Sequence, residues 1–155
     1  MARMQNWPFS FLSSPGFTLI EILVTLTIFG ILTAIALPEW GTLLPRYQLN
    51  SATRQVATEL QSARNRAMAQ YRRFRVVFNS ATTYTVEREQ TPGAGDYTTF
   101  SGPKELPSGI TATSDNTPVF QTRGDATPAA TITLTNSKGN SKKIAVNLTG
   151  RIDIQ

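Results

Sequence analysis

A chain of 155 residues has room for one ordinary domain beside an apolar segment. Hydrophobic residues at 40% and charged residues at 16% exclude a disordered, solvating chain, and a net charge of +5 permits an acidic partner, nucleic acid or anionic lipid without specifying one. The absence of cysteine and histidine excludes a disulfide-stapled scaffold, Ser-His-Asp and Cys-His catalysis, and histidine-rich metal sites.

Residues 1–16 carry a single basic residue, Arg3, and the aromatic residues Trp7, Phe9 and Phe11; Met1 and Met4 are both candidate starts. From Phe17 to Leu37 the chain is apolar except for threonines and one charge, Glu21. As a helix this run extends about 30 Å, the thickness of a bilayer's hydrocarbon core. No small-residue cleavage site follows it, unlike a secretory signal. Glu21 is the anomaly, because a lone charge in hydrocarbon costs at least about 2.5 kcal/mol. Two readings compensate it. It can snorkel to the headgroups, being only about 6 Å along the helix, or it can pair with a positive group in an assembly.

Gly16-Phe17-Thr18-Leu19-Ile20-Glu21 resembles the cleavage and methylation site of type IV prepilins and pseudopilins. The resemblance implies cleavage after Gly16 by a prepilin peptidase, N-methylation of the new terminus at Phe17, and an assembly role for Glu21. The new amine, positive below about pH 8, would pair with Glu21 of a neighbouring subunit and neutralise two costly charges together. Removal of residues 1–16 would leave a net charge of +4. Arg46 and Arg54 lie beyond the apolar run, so basic residues do not set the orientation. The N-terminus-inside orientation rests on the resemblance alone.

Gly30 and Pro38 are expected to interrupt the apolar helix, with a spacing that resembles pilins whose intervening segment unwinds on assembly. Pro45 adds another bend or interruption. From Tyr47 to about Gln70, Leu49, Ala52, Val56, Leu60, Ala63 and Ala67 recur at helical spacing and predict an amphipathic continuation. One helix over roughly 17–71, kinked at Pro38, is the expectation. Arg64, Arg66, Arg72, Arg73 and Arg75 cluster near its end. They are read as a solvated face, ahead of a docking site for an acidic partner.

The period then changes to two. Phe74–Phe78 and Tyr84–Arg88 predict a hairpin across Asn79–Thr83. Further strands are expected at 97–100, 110–113, 119–121, 131–135, 143–148 and 151–155, with a turn over Asn136–Asn140. Glu87 and Glu89 share one face of their strand and are read as solvated. The order V-F-Q-T-R-G-D, T-I-T-L-T-N-S-K-G and K-I-A-V-N-L-T-G-R-I resembles the C-terminal domain of H-type type II secretion pseudopilins and FimT-like minor pilins.

Three short motifs are weighed singly. Gly150-Arg151 resembles the start of a basic C-terminal motif in DNA-uptake pilins, and Arg151 is the one candidate nucleic-acid contact. Asp153 stands where that motif has a second arginine, and a carboxylate repels phosphate. Arg123-Gly124-Asp125 spells an adhesion tripeptide but is read as turn chemistry. Asn147-Leu148-Thr149 fits a glycosylation acceptor and is discounted because it falls in an expected strand.

The expected fold is α+β: a long N-terminal helix, transmembrane in its first half, packed on antiparallel β-sheets. A leader over 1–16 precedes a transmembrane helix over 17–38, an amphipathic continuation over 39–72 and a periplasmic β-rich domain over 73–155. The expected core includes Val56, Leu60, Val76, Phe78, Val86, Phe120, Ile132, Leu134, Ile144 and Val146. The resemblance implies a minor pseudopilin of type II secretion, held single-pass in the bacterial inner membrane. It is expected to be no enzyme and to hold no metal or cofactor. Its expected partners are prepilin peptidase, other pseudopilins or pilins, the inner-membrane assembly platform and membrane lipid. A minor pilin of a type IV pilus, with DNA as partner, is the alternative within the family. A bitopic membrane protein with a periplasmic binding domain is the alternative from another class.

Overall fold

The computed structural model of the chain describes residues 16–36 and 40–155. The expected leader up to residue 15 and the expected kink at Pro38 lie outside the described residues. The chain divides at Trp40 into two compact units.

The first unit holds helix α1, Leu19–Ala36. Thr18 caps it: its Oγ1 accepts the Glu21 N–H at 3.2 Å and its carbonyl accepts the Ile22 N–H at 3.2 Å. The cap starts the helix two residues after Phe17, so α1 has 18 residues. That is about 27 Å at 1.5 Å per residue. Among the described residues no helix is long and apolar enough to cross a membrane, so the transmembrane helix expected over 17–38 is seen only as this shorter apolar helix. Gly30 does not interrupt it. The helix runs unbroken as far as Ala36, because one glycine costs only about 1 kcal/mol.

Helix α2, Trp40–Gln70, supplies the start of the second unit from Gly41 on and continues through Pro45. Tyr71, with φ +52°, turns the chain out of the helix in the left-handed conformation. The stripe expected from sequence is the buried face: Leu49, Ala52, Val56, Leu60, Ala63 and Ala67 are all buried.

Nine strands follow in two antiparallel sheets. One sheet has the order β3-β2-β1-β5-β6, built from β1 Phe74–Phe78, β2 Thr83–Glu89, β3 Tyr97–Glu105, β5 Val119–Phe120 and β6 Ala126–Thr127. The other has the order β4-β7-β8-β9, built from β4 Ile110–Ser114, β7 Ala130–Asn136, β8 Ser141–Val146 and β9 Ile152–Ile154. The β1–β2 hairpin pairs Val76 with Val86 and Phe78 with Tyr84, as alternation predicts. In the second sheet Ile132 faces Ile144, which faces Ile154.

The core lies between the α2 stripe and both sheets, and joins Phe74, Tyr84, Phe120, Ile132, Leu134, Ile144 and Val146 to it. Each such large side chain contributes about 1.5–3 kcal/mol by leaving water. Of the expected core only Phe78 is merely half-buried. Polar ties reinforce the packing. Gln55 Nε2 donates to Tyr84 Oη at 3.1 Å, and Lys104 of β3 pairs with Glu59 of α2.

Strand ends depart from expectation where side chains stop alternating. β3 runs five residues beyond the expected segment, and β8 begins and ends two residues early. Asn147-Leu148-Thr149 therefore lies in an exposed turn, in which the Gly150 N–H donates to the Asn147 carbonyl at 2.8 Å. Its discounting as a strand segment is corrected.

Candidate functional site

The N-terminal site is built on the first turn of α1. Thr18 and Glu21 stand at the cap and third positions, the spacing at which a threonine–glutamate pair favours helix initiation. Glu21 thus sits at the positive end of the helix dipole, which favours a carboxylate by about 0.3–1 kcal/mol. The threonine–glutamate spacing is legible in the sequence.

The other polar side chains of α1 hide their hydrogen-bonding groups. Thr25 Oγ1 donates to the Glu21 and Ile22 carbonyls, each at 2.9 Å. Thr27 and Thr33 donate to the Leu23 and Phe29 carbonyls, each at 2.7 Å. Phe17, Leu19, Ile20, Phe29 and Ile35 are exposed all round the helix. Glu21 is then the only side chain of α1 whose hydrogen-bonding needs no neighbouring turn meets.

The arginine cluster belongs to neither expected reading, because its members bind within the domain. Arg64 Nε donates to the Gly124 carbonyl at 2.7 Å, with Nη2 at 3.5 Å from the Thr149 carbonyl. Arg72 donates to the Gln90 carbonyl. Arg75 pairs with Glu87 at 2.7 Å and lies 4.0 Å from the Tyr97 ring centre. Arg66 lies 4.9 Å from the Phe100 ring centre, with Arg88 on the same ring at 5.5 Å.

Arg73 pairs with Glu89, which is only 1% exposed. The solvated reading of Glu89 is therefore wrong. The loop after β2 folds over its carboxylate, and the Gly95 N–H donates to it at 3.0 Å. Burial pushes the Glu89 carboxyl up, but Arg73 and the Gly95 and Gly93 N–H groups outweigh it and hold it below the ordinary carboxylate value.

The tripeptide Arg123-Gly124-Asp125 is a tight turn, with the Gly124 N–H donating to the Gln121 carbonyl at 2.9 Å. Gly124 is buried and Asp125 Oδ1 is turned inward, so the tripeptide is not displayed. Gly150 packs on this turn: a Cβ there would stand 1.8 Å from the Gly124 carbonyl oxygen. The Ala126 N–H donates to the Leu148 carbonyl at 3.0 Å across the same junction. Sequence reasoning missed this knot of Arg64, Gly124 and Gly150, whose members lie 60 or more residues from Arg64.

Arg151, beside the knot, is exposed, and its Nε donates to Asp153 Oδ1 at 2.9 Å. The carboxylate expected to oppose phosphate is thus joined to the one candidate nucleic-acid contact. Among the described residues no group of three or more aspartate, glutamate, histidine or cysteine side chains is placed to hold a metal.

The family model for type II transport protein GspH matches residues 52–150, more than half of the chain. The chain belongs to the GspH family. The model for the prokaryotic N-terminal methylation motif matches residues 13–37, across Gly16, Phe17 and Glu21. The GspH match begins inside α2 and ends at Gly150, so it contains the stripe from Ala52 onward, both sheets up to β8 and the whole knot.

In structure the chain is similar to the minor pseudopilin EpsH from the type 2 secretion system of Vibrio cholerae. The TM-score is 0.59 at 9% identity, over 70% of this chain and 96% of that one. It is also similar to the type IV minor pilin FimU of Pseudomonas aeruginosa, with a TM-score of 0.58 at 18% identity, over 71% of this chain and 90% of that one. At these identities the likeness is one of fold, and it agrees with the α+β architecture expected from sequence. No curated protein sequence matches the chain.

Proposed function

We infer that the protein is a minor pseudopilin of a type II secretion system. It waits in the bacterial inner membrane by the segment 17–38, with residues 73–155 in the periplasm. It enters the pseudopilus after prepilin peptidase has cut between Gly16 and Phe17. Its action is structural: it supplies a subunit and performs no chemistry. The observation that carries this reading is a GspH-family domain joined to a methylation motif with Glu21 four residues past the cut. Other pseudopilins and the assembly platform of the inner membrane are its partners. The fold alone suits a type IV minor pilin equally. Against a DNA-uptake role stands the Arg151–Asp153 pair, which offers phosphate no net charge.

Mass spectrometry of the protein extracted from membranes should show a chain beginning with N-methyl-Phe17. An intact leader in cells with active prepilin peptidase would overturn the reading.

Glu21→Val should leave α1 in the membrane and impair incorporation into filaments. Unaided burial of the methylated amine costs at least about 2.5 kcal/mol, a fall of roughly fiftyfold or more in the assembled fraction. Sheared-filament yield measures this. Normal incorporation of the variant would remove the pairing role.

A further inference from the structure

The first two turns of α2 carry side chains that the β-domain leaves bare. Leu43, Leu44 and Tyr47 are 56%, 59% and 73% exposed. Arg46 between them is exposed as well. At about 3.6 residues per turn, Leu43, Leu44 and Tyr47 fall on the side away from the core stripe, which begins at Leu49.

The turn between β7 and β8 is fastened to this end of α2 by one buried side chain. Asn136 Nδ2 donates to the Pro45 carbonyl at 3.2 Å. Its Oδ1 accepts the N–H groups of Lys138 and Asn140, each at 3.0 Å. Lys138 is thereby held beside the helix turn that bears Arg46, and Lys142 follows on β8, opposite Leu134. Arg46, Lys138 and Lys142 take part in none of the four ion pairs among the described residues.

Bare leucine and tyrosine flanked by unpaired cations have the chemistry of an interfacial anchor. Such apolar and aromatic groups settle at headgroup depth, and each lysine or arginine near an anionic surface is attracted by about 1 kcal/mol. In sequence, Pro45 stands eight residues past Leu37, the end of the apolar run. We propose that this end of the domain docks on the anionic surface of the bilayer holding the unassembled subunit. Leu43, Leu44 and Tyr47 enter the headgroup layer, and Arg46, Lys138 and Lys142 pair with lipid phosphates. The proposal rests on the membrane-held reading given above. A second protein subunit is the competing occupant. The charge favours lipid, because three cations with no carboxylate partner among the described residues meet a continuous sheet of anions there.

The chain has no cysteine, so Ser137→Cys in the exposed turn gives a single labelling site. The spin-labelled full chain is placed in nanodiscs of phosphatidylcholine, with or without phosphatidylglycerol, and a headgroup-chelated nickel lipid reports proximity. The expected result is headgroup contact in anionic discs that weakens at high salt. Lys138→Gln and Lys142→Gln should each lower the docked-to-free ratio by about fivefold. Contact that ignores lipid charge and both substitutions would overturn the proposal, as would contact that appears only when two chains share a disc. In those cases the inserted chain leaves the pseudopilin reading intact. A chain that fails to insert overturns both.

Discussion

Gly150→Ala is expected to destabilise the β-domain by at least about 3 kcal/mol, combining left-handed backbone strain with a steric clash. Gly150 has φ +75°, and the added Cβ would lie 1.8 Å from the Gly124 carbonyl oxygen and 2.9 Å from Arg64 Nε. The obstacle is backbone, so no rotamer change relieves it. Withdrawal of the turn would strain the Arg64–Gly124 and Ala126–Leu148 hydrogen bonds together. For a domain of this size the thermal midpoint should fall by more than about 10 °C. Gly139→Ala is the control. Gly139 also has positive φ, at +80°, but nothing lies within 4 Å of its added Cβ, so only the conformational cost of about 1–2 kcal/mol applies. Circular dichroism of the detergent-solubilised chains makes the comparison. Equal loss in the two variants would show that the knot does not hold the sheets.

Arg73→Met should be the next most damaging change, at about 2–4 kcal/mol, because it leaves a buried carboxylate without its cation. The estimate sits toward the lower end for such pairs because Arg73 itself is 26% exposed. The pH dependence is the sharper test. Glu89 is held below its ordinary value in the folded chain, so the unfolded chain binds the proton first. The stabilisation is fully present above the unfolded value of about 4.3 and is lost as pH falls through the folded value. In Arg73→Met the burial effect faces only backbone donors, so the folded value rises toward or past the unfolded one; the variant should be destabilised chiefly at neutral pH, and the Glu89 share of its acid limb should shrink or vanish. Glu89→Gln should remove this part of the acid limb. Urea unfolding between neutral pH and pH 3 reads both. An unchanged acid limb in Arg73→Met would dissociate the pair from acid stability.

The elements governed by local period were legible in the sequence. The α2 stripe, the β1–β2 hairpin and the turn after Asn136 follow from spacing that any few residues display. Hidden were features set by partners far along the chain. Nothing near Glu89 announces that a glycine loop and Arg73 will enclose it. Nothing near Arg64 announces two glycines at 124 and 150. β6, of two residues, is too short to show alternation and exists because β5 offers it an edge. At the N-terminal site, the motif and the carboxylate were readable. The threonine hydroxyls folded onto their own helix were not, since a threonine in an apolar run reads as a polar break.

Those inward-bonded hydroxyls have a mechanical consequence. A rod whose flanks present only hydrocarbon packs by shape, and shape alone discriminates poorly between one axial offset and the next. Two such rods would glide past each other over a shallow, repeating energy profile. A single carboxylate near one tip acts as an index mark: it makes one offset deeper than all the others without roughening the rest of the track. α1 of this chain is such a rod, and under the assembly role proposed for Glu21 that carboxylate is the mark.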